Sequence, residues 1–536
     1  MSFSYSDTVS TKPTKTVTPQ TQPLSGREAE MVKNHAGGFV FKLDAWSYLD
    51  RFLILGSESP FYYASVEKLT KDAAKNVLAC IKLDGIKTVN RIVEISQAGR
   101  APKNDSAVFA LALCAINGDE ATVAAAYASL HKVCRIGTHL FQFVAAIDEL
   151  GKWNAAAKRG IASWYTKRKE DKLAVQLLKY QSRNGWAHRD VLRLAHVKPT
   201  NDVQSALFRY SVKGAEAIEA NTAVPQLLID FETLKRGVDA KTAIKLIESN
   251  PDITWEMIPT ELHRNPAVMS ALVNTMGMTA LIRKLGQLTN IGVIKPMSND
   301  LQLIVGKLTD VEAIKSGRVH PITILNAFNQ YKTGHGDKGS LTWTPSQQIL
   351  DALNDVFYES FNFIESTGLG HLIGVDCSGS MWSSSVSSAP NLSSAEVAAV
   401  MALAVAKREP NHWIGGFNNR MSELKISPSM RLDAVLAVMQ KFNWGSTDCS
   451  LPMRHALDNG MDNVSKFVVI TDNETYAGKM QPVEALSRYR QKHVKDAKLI
   501  VCGTSVTKFT IADPKDPGML DIAGFDSAAP QLIQSF

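Results

Sequence analysis

The stretch GVDCSGSM, residues 374–381, ends an apolar run that starts at His371 (HLIGVD, 371–376). Asp376 stands at its end, and Ser378 and Ser380 follow at alternate positions. A short apolar run rich in branched side chains and bounded by a turn reads as a buried strand. Three more such runs lie downstream: HWIGGF (412–417), KFVVITD (466–472) and KLIVCGT (498–504). Helix-period segments separate them: SSAEVAAVMALAVAKRE, RLDAVLAVMQKF, SLPMRHALDNGM and PVEALSRYRQKHV. Strands alternating with helices, and apolar along their whole length, make a parallel sheet covered on both faces. Residues 364–536 are therefore expected to form one doubly wound α/β domain, with any ligand at the carboxyl ends of its strands.

Two further polar clusters fall where such a ligand would sit. WGSTDCS (444–450) carries Thr447 in the loop before a helix, and VVITDNE (468–474) places Asp472 on a strand tip. With Asp376, Ser378 and Ser380 they supply two carboxylates and three hydroxyls, and neither His nor Cys. Such an all-oxygen set suits a hard divalent cation, with octahedral Mg²⁺ completed by water as the expected occupant. So few carboxylates leave the cation electrophilic enough to accept another from a partner. Alone, a DxSxS segment is as readily a serine-rich turn after a strand-end aspartate. No general base or nucleophile is placed to use the metal, so a catalytic centre is not expected.

Upstream the texture differs. From residue 26 to 363 apolar residues recur at i, i+3, i+4 and i+7, as in VEKLTKDAAKNVLACIKL, THLFQFVAAIDEL and DAKTAIKLIES. Breaks at Gly, Pro, Asn or Asp fall every 12–20 residues. Asp239, Ser298 and Asp310 each precede an apolar run, as helix N-caps do. Many consecutive helices with short connections predict an α-solenoid, although no crisp sequence repeat is visible. A compact helical domain is the rival reading. Residues 1–25, rich in Ser, Thr, Pro and Gln, read as a disordered tail or an arm on the surface.

The whole composition is that of an ordinary soluble globular protein, with 45% hydrophobic and 21% charged residues over 536 positions. No apolar run approaches the ~18–20 residues of a membrane span, and the N-terminus lacks the apolar core of a signal peptide. Six scattered cysteines without a CxxC pair point to reduced thiols and a cytoplasmic protein. P-loop, GxSxG and HExxH motifs are absent.

The net charge of +7 is unevenly placed: residues 151–200 hold twelve Lys+Arg against three Asp+Glu, a net of +9. A solvated helix face normally mixes signs, so this window is expected to face a polyanion. Within it Lys172 and Lys179 lie seven apart on one helix face, and Arg183, His188, Arg189 and Arg193 follow across RNGWAHRD. Trp153, Trp164, Tyr165, Tyr180 and Trp186 interleave with them, either as base-stacking platforms or as core. His188 has a second reading as a helix-capping residue.

The segment LLKYQSRNGWAHRDVLRLAHVKP resembles the hallmark of the Ro ribonucleoprotein family and its TROVE module. So does AWSYLDRFLILGSESPFYY (45–63), followed by helical repeats and a C-terminal domain with DNET at 472–475. The order DxSxS, threonine, aspartate likewise resembles the metal-ion-dependent adhesion site of von Willebrand factor A domains. One departure is GSESPF (56–61), where the family tends to a glycine-rich turn. The resemblance implies HEAT-like helical repeats closed into a ring by the A domain. It implies small non-coding Y-type RNAs on an outer basic surface, here Lys172, Lys179, Arg183, His188 and Arg189. Helix periodicity adds Arg193. Single-stranded 3′ ends of misfolded or precursor RNAs would enter a central hole, with Arg135 and His139 as candidates for the hole or for helix packing. The chain is expected to be a monomeric, non-enzymatic factor in RNA quality control, with no membrane partner and a ribonuclease or other protein as the candidate partner of the A domain. The alternative is a protein-interaction scaffold gripping polypeptides with the solenoid and metal site. An RNA nuclease is disfavoured, because the hydroxyl-rich set lacks the clustered carboxylates of two-metal nucleases.

Overall fold

The structure, a computed structural model, describes residues 17–56, 66–149, 153–218, 223–317, 319–336, 339–360, 366–386, 389–443, 445–524 and 529–536. Most of the 1–25 arm, the GSESPF departure and the interdomain joint expected near 360–366 thus lie wholly or largely outside the described residues.

The first structured element is not an α-helix. Residues 26–42 were read with the helical region, yet they form a β-hairpin, β1 (Met31–Lys33) and β2 (Phe39–Lys42). β2 extends antiparallel onto β12 (Phe509–Thr510) of the C-terminal domain. The segment before it, expected as a disordered tail or an arm on the surface, is anchored as well: Gln20 is fully buried and donates to Asp448 Oδ1 at 2.7 Å. Residues 17–42 therefore pack on the C-terminal domain, although they precede the helices in sequence.

Helices then follow one another from Ala45–Leu55 to Gln347–Glu359, each packing chiefly on near neighbours in sequence, as a solenoid requires. All three expected N-caps are present. Asp239, Ser298 and Asp310 accept from the backbone N–H groups of Thr242, Leu301 and Ala313. A single small ribbon interrupts the array among the described residues: β3 (Ser182–Arg183) and β4 (Trp186–Ala187). Its Asn184-Gly185 turn has positive φ at both positions, 52° and 78°, the geometry a two-residue hairpin demands.

The C-terminal domain holds β5 (Gly370–Asp376), a small ribbon of β6 (Ser385–Val386) and β7 (Ala389–Ser393), β8 (His412–Phe417) and β9 (Met421–Glu423). β10 (Val464–Thr471), β11 (Lys498–Gly503), β12 and β13 (Met519–Ala523) complete it. Its sheet runs β13-β11-β10-β5-β8-β9, parallel except for the β9 edge. Alternate side chains face opposite cores: Val468 and Ile470 pack on one side, Phe467 and Val469 on the other. Both faces are covered, which explains strands without polar alternation. The helix Ser394–Ala406 is apolar all round because every one of its residues is buried.

Both ends of the helical array meet this domain. At the near end Arg51, in the first helix, is fully buried and pairs with Asp521 of β13 and with the Thr507 hydroxyl. At the far end Asn354 accepts from Leu432 N–H at 3.1 Å, and Asp351 pairs with Arg431. Leu55, Ile322, Met401, Ile470 and Cys502 line one apolar junction where the first helix, a late helix and the sheet converge. The array is closed on itself through the α/β domain.

Candidate metal centre and nucleic-acid interface

β5 and β10 are neighbours whose onward connections run to opposite sides of the sheet, so a crevice opens at their carboxyl ends. Asp376 ends β5 and Asp472 follows β10, and both side chains are buried. Asp376 Oδ1 accepts from Ser378 N–H at 2.9 Å and Oδ2 from the Thr471 hydroxyl at 2.6 Å. The Ser378 and Ser380 hydroxyls lie 3.2 Å apart. The Thr447 loop is stitched to both strand ends: Gly379 N–H donates to Gly445 C=O, and Tyr476 and Ala477 N–H donate to Thr447 C=O. The five residues expected to share a site are thus brought to one place.

The donor set fits a divalent cation on two counts. Asp472 Oδ1 accepts from Glu474 N–H at 3.0 Å, but Oδ2 is buried with no partner, an expensive arrangement for a bare carboxylate. Burial also pushes both carboxyls above the usual aspartate range, and the Asp376 charge raises Asp472 further. A cation between them relieves both penalties. Asp376, Ser378, Ser380, Thr447 and Asp472 would hold it. Among the described residues no cluster of three or more His, Cys, Asp or Glu side chains is placed to hold a metal.

Sequence reasoning missed what holds the site. Each residue after Asp472 in DNET grips the N-terminal segment. Asn34 Nδ2 donates to Asn473 and Thr475 C=O at 3.2 and 2.8 Å. Glu474 accepts from Ala36 N–H at 2.9 Å and lies 2.8 Å from His35 Nδ1. The Thr475 hydroxyl donates to Gln20 Oε1 and accepts from Cys449 N–H. A polar run, DNET, at the end of a buried strand was the available signal, but its partners stand some 440 residues away.

In the basic window the charges divide. Arg159, Lys167, Lys169, Lys172, Arg183, Arg189, Arg193 and Lys198 are exposed. Lys172 and Lys179 share the helix Glu170–Lys179 and face the 252–256 segment, 3.7 Å from Asp252 and 3.3 Å from Glu256. Lys179 is thereby held largely against the protein. Arg189 lies 3.3 Å from Asp190 and stays more than half exposed. Arg168 is internal: it caps the Trp164 ring at 4.0 Å and donates to Arg135 C=O.

His188 requires a correction. It was expected on an outer RNA surface, but it is buried against Phe141, Trp164 and Tyr165, with Nδ1 2.9 Å from the Tyr165 hydroxyl. Burial pushes its pKa down to about 4, so it is a neutral core residue at ordinary pH. As the first residue of the helix His188–Leu194 it gives its ring to the core, while Arg189 and Arg193 face solvent. Arg135 and His139, expected in the hole or in helix packing, are half-buried and bonded to neighbouring segments. Arg135 donates to Ser96 C=O and Oγ at 3.0 and 2.7 Å, and His139 lies beside Asn104, its pKa pushed down to about 4 by burial.

Comparison with known proteins follows the same division. Residues 32–227 and 232–330 match the TROVE domain, and 371–536 match the Ro60 vWA domain. A protein of Deinococcus radiodurans named RNA-binding protein RO60 is 36% identical over 97% of both chains. One of the same name from Caenorhabditis elegans is 34% identical over 94% of this chain and 90% of its own. The crystal structure of the Deinococcus radiodurans RO (RSR) protein superposes with a TM-score of 0.69 at 34% identity, covering 92% of this chain and 99% of that one.

Proposed function

The chain belongs to the TROVE family of proteins related to RNA-binding protein RO60, and we propose from this that it binds RNA without chemically altering it. The observation that carries the reading is the strongly basic window, whose exposed Arg183, Arg189 and Arg193 border one ribbon and helix. Lys and Arg contacts to phosphates supply most of the affinity of such a surface and make it strongly salt-dependent. In this reading small folded RNAs of the Y type lie on the outer surface, and misfolded or precursor RNAs offer a single-stranded 3′ end to the hole of the closed array. Selection is then for the state of an RNA end rather than its sequence. The protein acts as a cytoplasmic monomer in RNA quality control, with a protein partner presenting a carboxylate to a Mg²⁺ held by Asp376, Ser378, Ser380, Thr447 and Asp472.

The deciding experiment titrates two RNAs over a salt series: a blunt stem-loop, and the same stem with a ~10-nucleotide single-stranded 3′ tail. Tighter, salt-sensitive binding of the tailed RNA is expected; equal binding of both would remove the role of the 3′ end. The metal has its own test. Asp376→Ala is expected to abolish the rise in melting temperature caused by Mg²⁺ while leaving RNA affinity unchanged. A parallel loss of RNA binding would make the metal part of the RNA site.

A further inference from the structure

The aromatic residues of the basic window separate into two groups. Trp164 and Tyr165 are fully buried, whereas Trp153 and Trp186 pack against the edge of the core and are only partly covered. Their rings lie 5.9 Å apart between centroids and are tilted by 39°, the separation of an aromatic pair in contact. Trp186 sits in β4 directly across from Arg183 in β3, and facing residues of an antiparallel pair project from the same side. The positive-φ Asn184-Gly185 turn leaves the ribbon no slack, and the ribbon rests on the helix Gly137–Glu149. Trp153 is fixed in turn, because its Nε1 donates to exposed Asp148 at 2.9 Å. Two oriented indoles and an exposed guanidinium therefore stand together within the most basic part of the chain.

We propose that Trp153 and Trp186 form a stacking platform for an unpaired RNA base, with Arg183 contacting a phosphate of the same strand. The proposal rests on the RNA-binding reading above and deepens it, assigning this site to single-stranded segments. The charge of the window favours a polyanion, and an indole face accepts any base because every base has a π-face. In a duplex the bases are already stacked on each other, so the platform discriminates against paired RNA without reading sequence. Asp148 and Asp190 are acidic groups beside the ribbon. Asp148 is turned to the Trp153 N–H, and Asp190 lies against Arg189 and accepts from Ala187 N–H.

The test uses the full chain, a single-stranded uridine decamer, and the same decamer annealed to its complement, each followed by fluorescence anisotropy over a potassium chloride series. Trp186→Leu and Trp153→Leu are each expected to weaken single-strand binding about ten-fold or more, with the slope of log K against log salt unchanged and duplex binding unaffected. Trp186→Phe, which keeps a stacking face, is expected to lose less than about three-fold, and Arg183→Ala to reduce the slope by about one. Wild-type affinity in Trp186→Leu overturns the platform. So does equal damage by Phe and Leu with a lowered melting temperature, which would mark a packing role. Displacement of the decamer by an acidic peptide at equal charge concentration would assign the site to a protein partner. If wild-type protein binds the tailed stem-loop but not the decamer, only the platform falls; if it binds neither, the RNA reading falls with it.

Discussion

His188 shows how one side chain takes a role that its neighbours in sequence conceal. It lies among arginines, yet its ring fills a gap between Phe141, Trp164 and Tyr165. Its pKa stands near 4 in the folded chain against 6.5 in the unfolded one. Between these values the unfolded state binds a proton that the folded state refuses, so stability is complete above pH 6.5 and falls as pH drops toward 4. The loss amounts to at most about 1.4 kcal/mol per pH unit from this residue. His188→Gln is expected to flatten the acid limb of denaturant-derived stability against pH by that slope. An unchanged limb would mean that His188 is charged in the folded protein. The strand-end aspartates Asp376 and Asp472 pose the converse problem at the same scale, since burial keeps both carboxyls above their usual range and Asp472 Oδ2 is buried with no hydrogen-bond partner.

Among elements, the N-terminal hairpin is the least expected and the most consequential. It adds β2 to β12 and lays residues 34–38 along the DNET loop. Gly38 makes that approach possible: a Cβ there would come within 1.8 Å of Thr475 C=O. Gly38→Ala must therefore lift the hairpin or distort the metal loop, at a cost of about 1–3 kcal/mol by the measure of overpacked sites. The expected result is a lower melting temperature together with a weaker Mg²⁺ response. A full Mg²⁺ response in a destabilised variant would separate the hairpin from the metal loop. The strands β5, β8, β10 and β11 were legible because each is a short, mostly buried apolar run bounded by turn residues. β1, β2, β12 and β13 were not, because each is short and its apolar residues have meaning only beside their partners. The caps Asp239, Ser298 and Asp310 were legible because capping is settled within four residues.

For the whole molecule the question is what keeps the helical array closed. The near-end clamp is Arg51, whose guanidinium also packs on Gly503, where a Cβ would meet it at 2.9 Å. Its partner Asp521 is largely buried, so Arg51→Leu strands a carboxylate at the joint, a change worth about 3–5 kcal/mol. The expected outcome is a larger radius of gyration in solution scattering and faster hydrogen exchange in the first helix, with the α/β sheet still protected. Unchanged exchange in that helix would show that the apolar junction around Leu55 and Ile322 closes the array without the ion pair.

The sequence by itself determined the two textures, the doubly wound sheet, the five oxygen donors and the strongly basic window. Each is a property of residues close in sequence: periodicity, a strand-end motif, a local charge sum. Only the tertiary structure decided that residues 17–42 pack on the far domain, that both ends of the array dock on it, and that His188 is fully core while Trp153 and Trp186 pack at its edge, partly uncovered. The physical reason is the same throughout. Whether a group is buried, and what it bonds, depends on surfaces hundreds of residues away, and a local pattern carries no record of which surface will arrive.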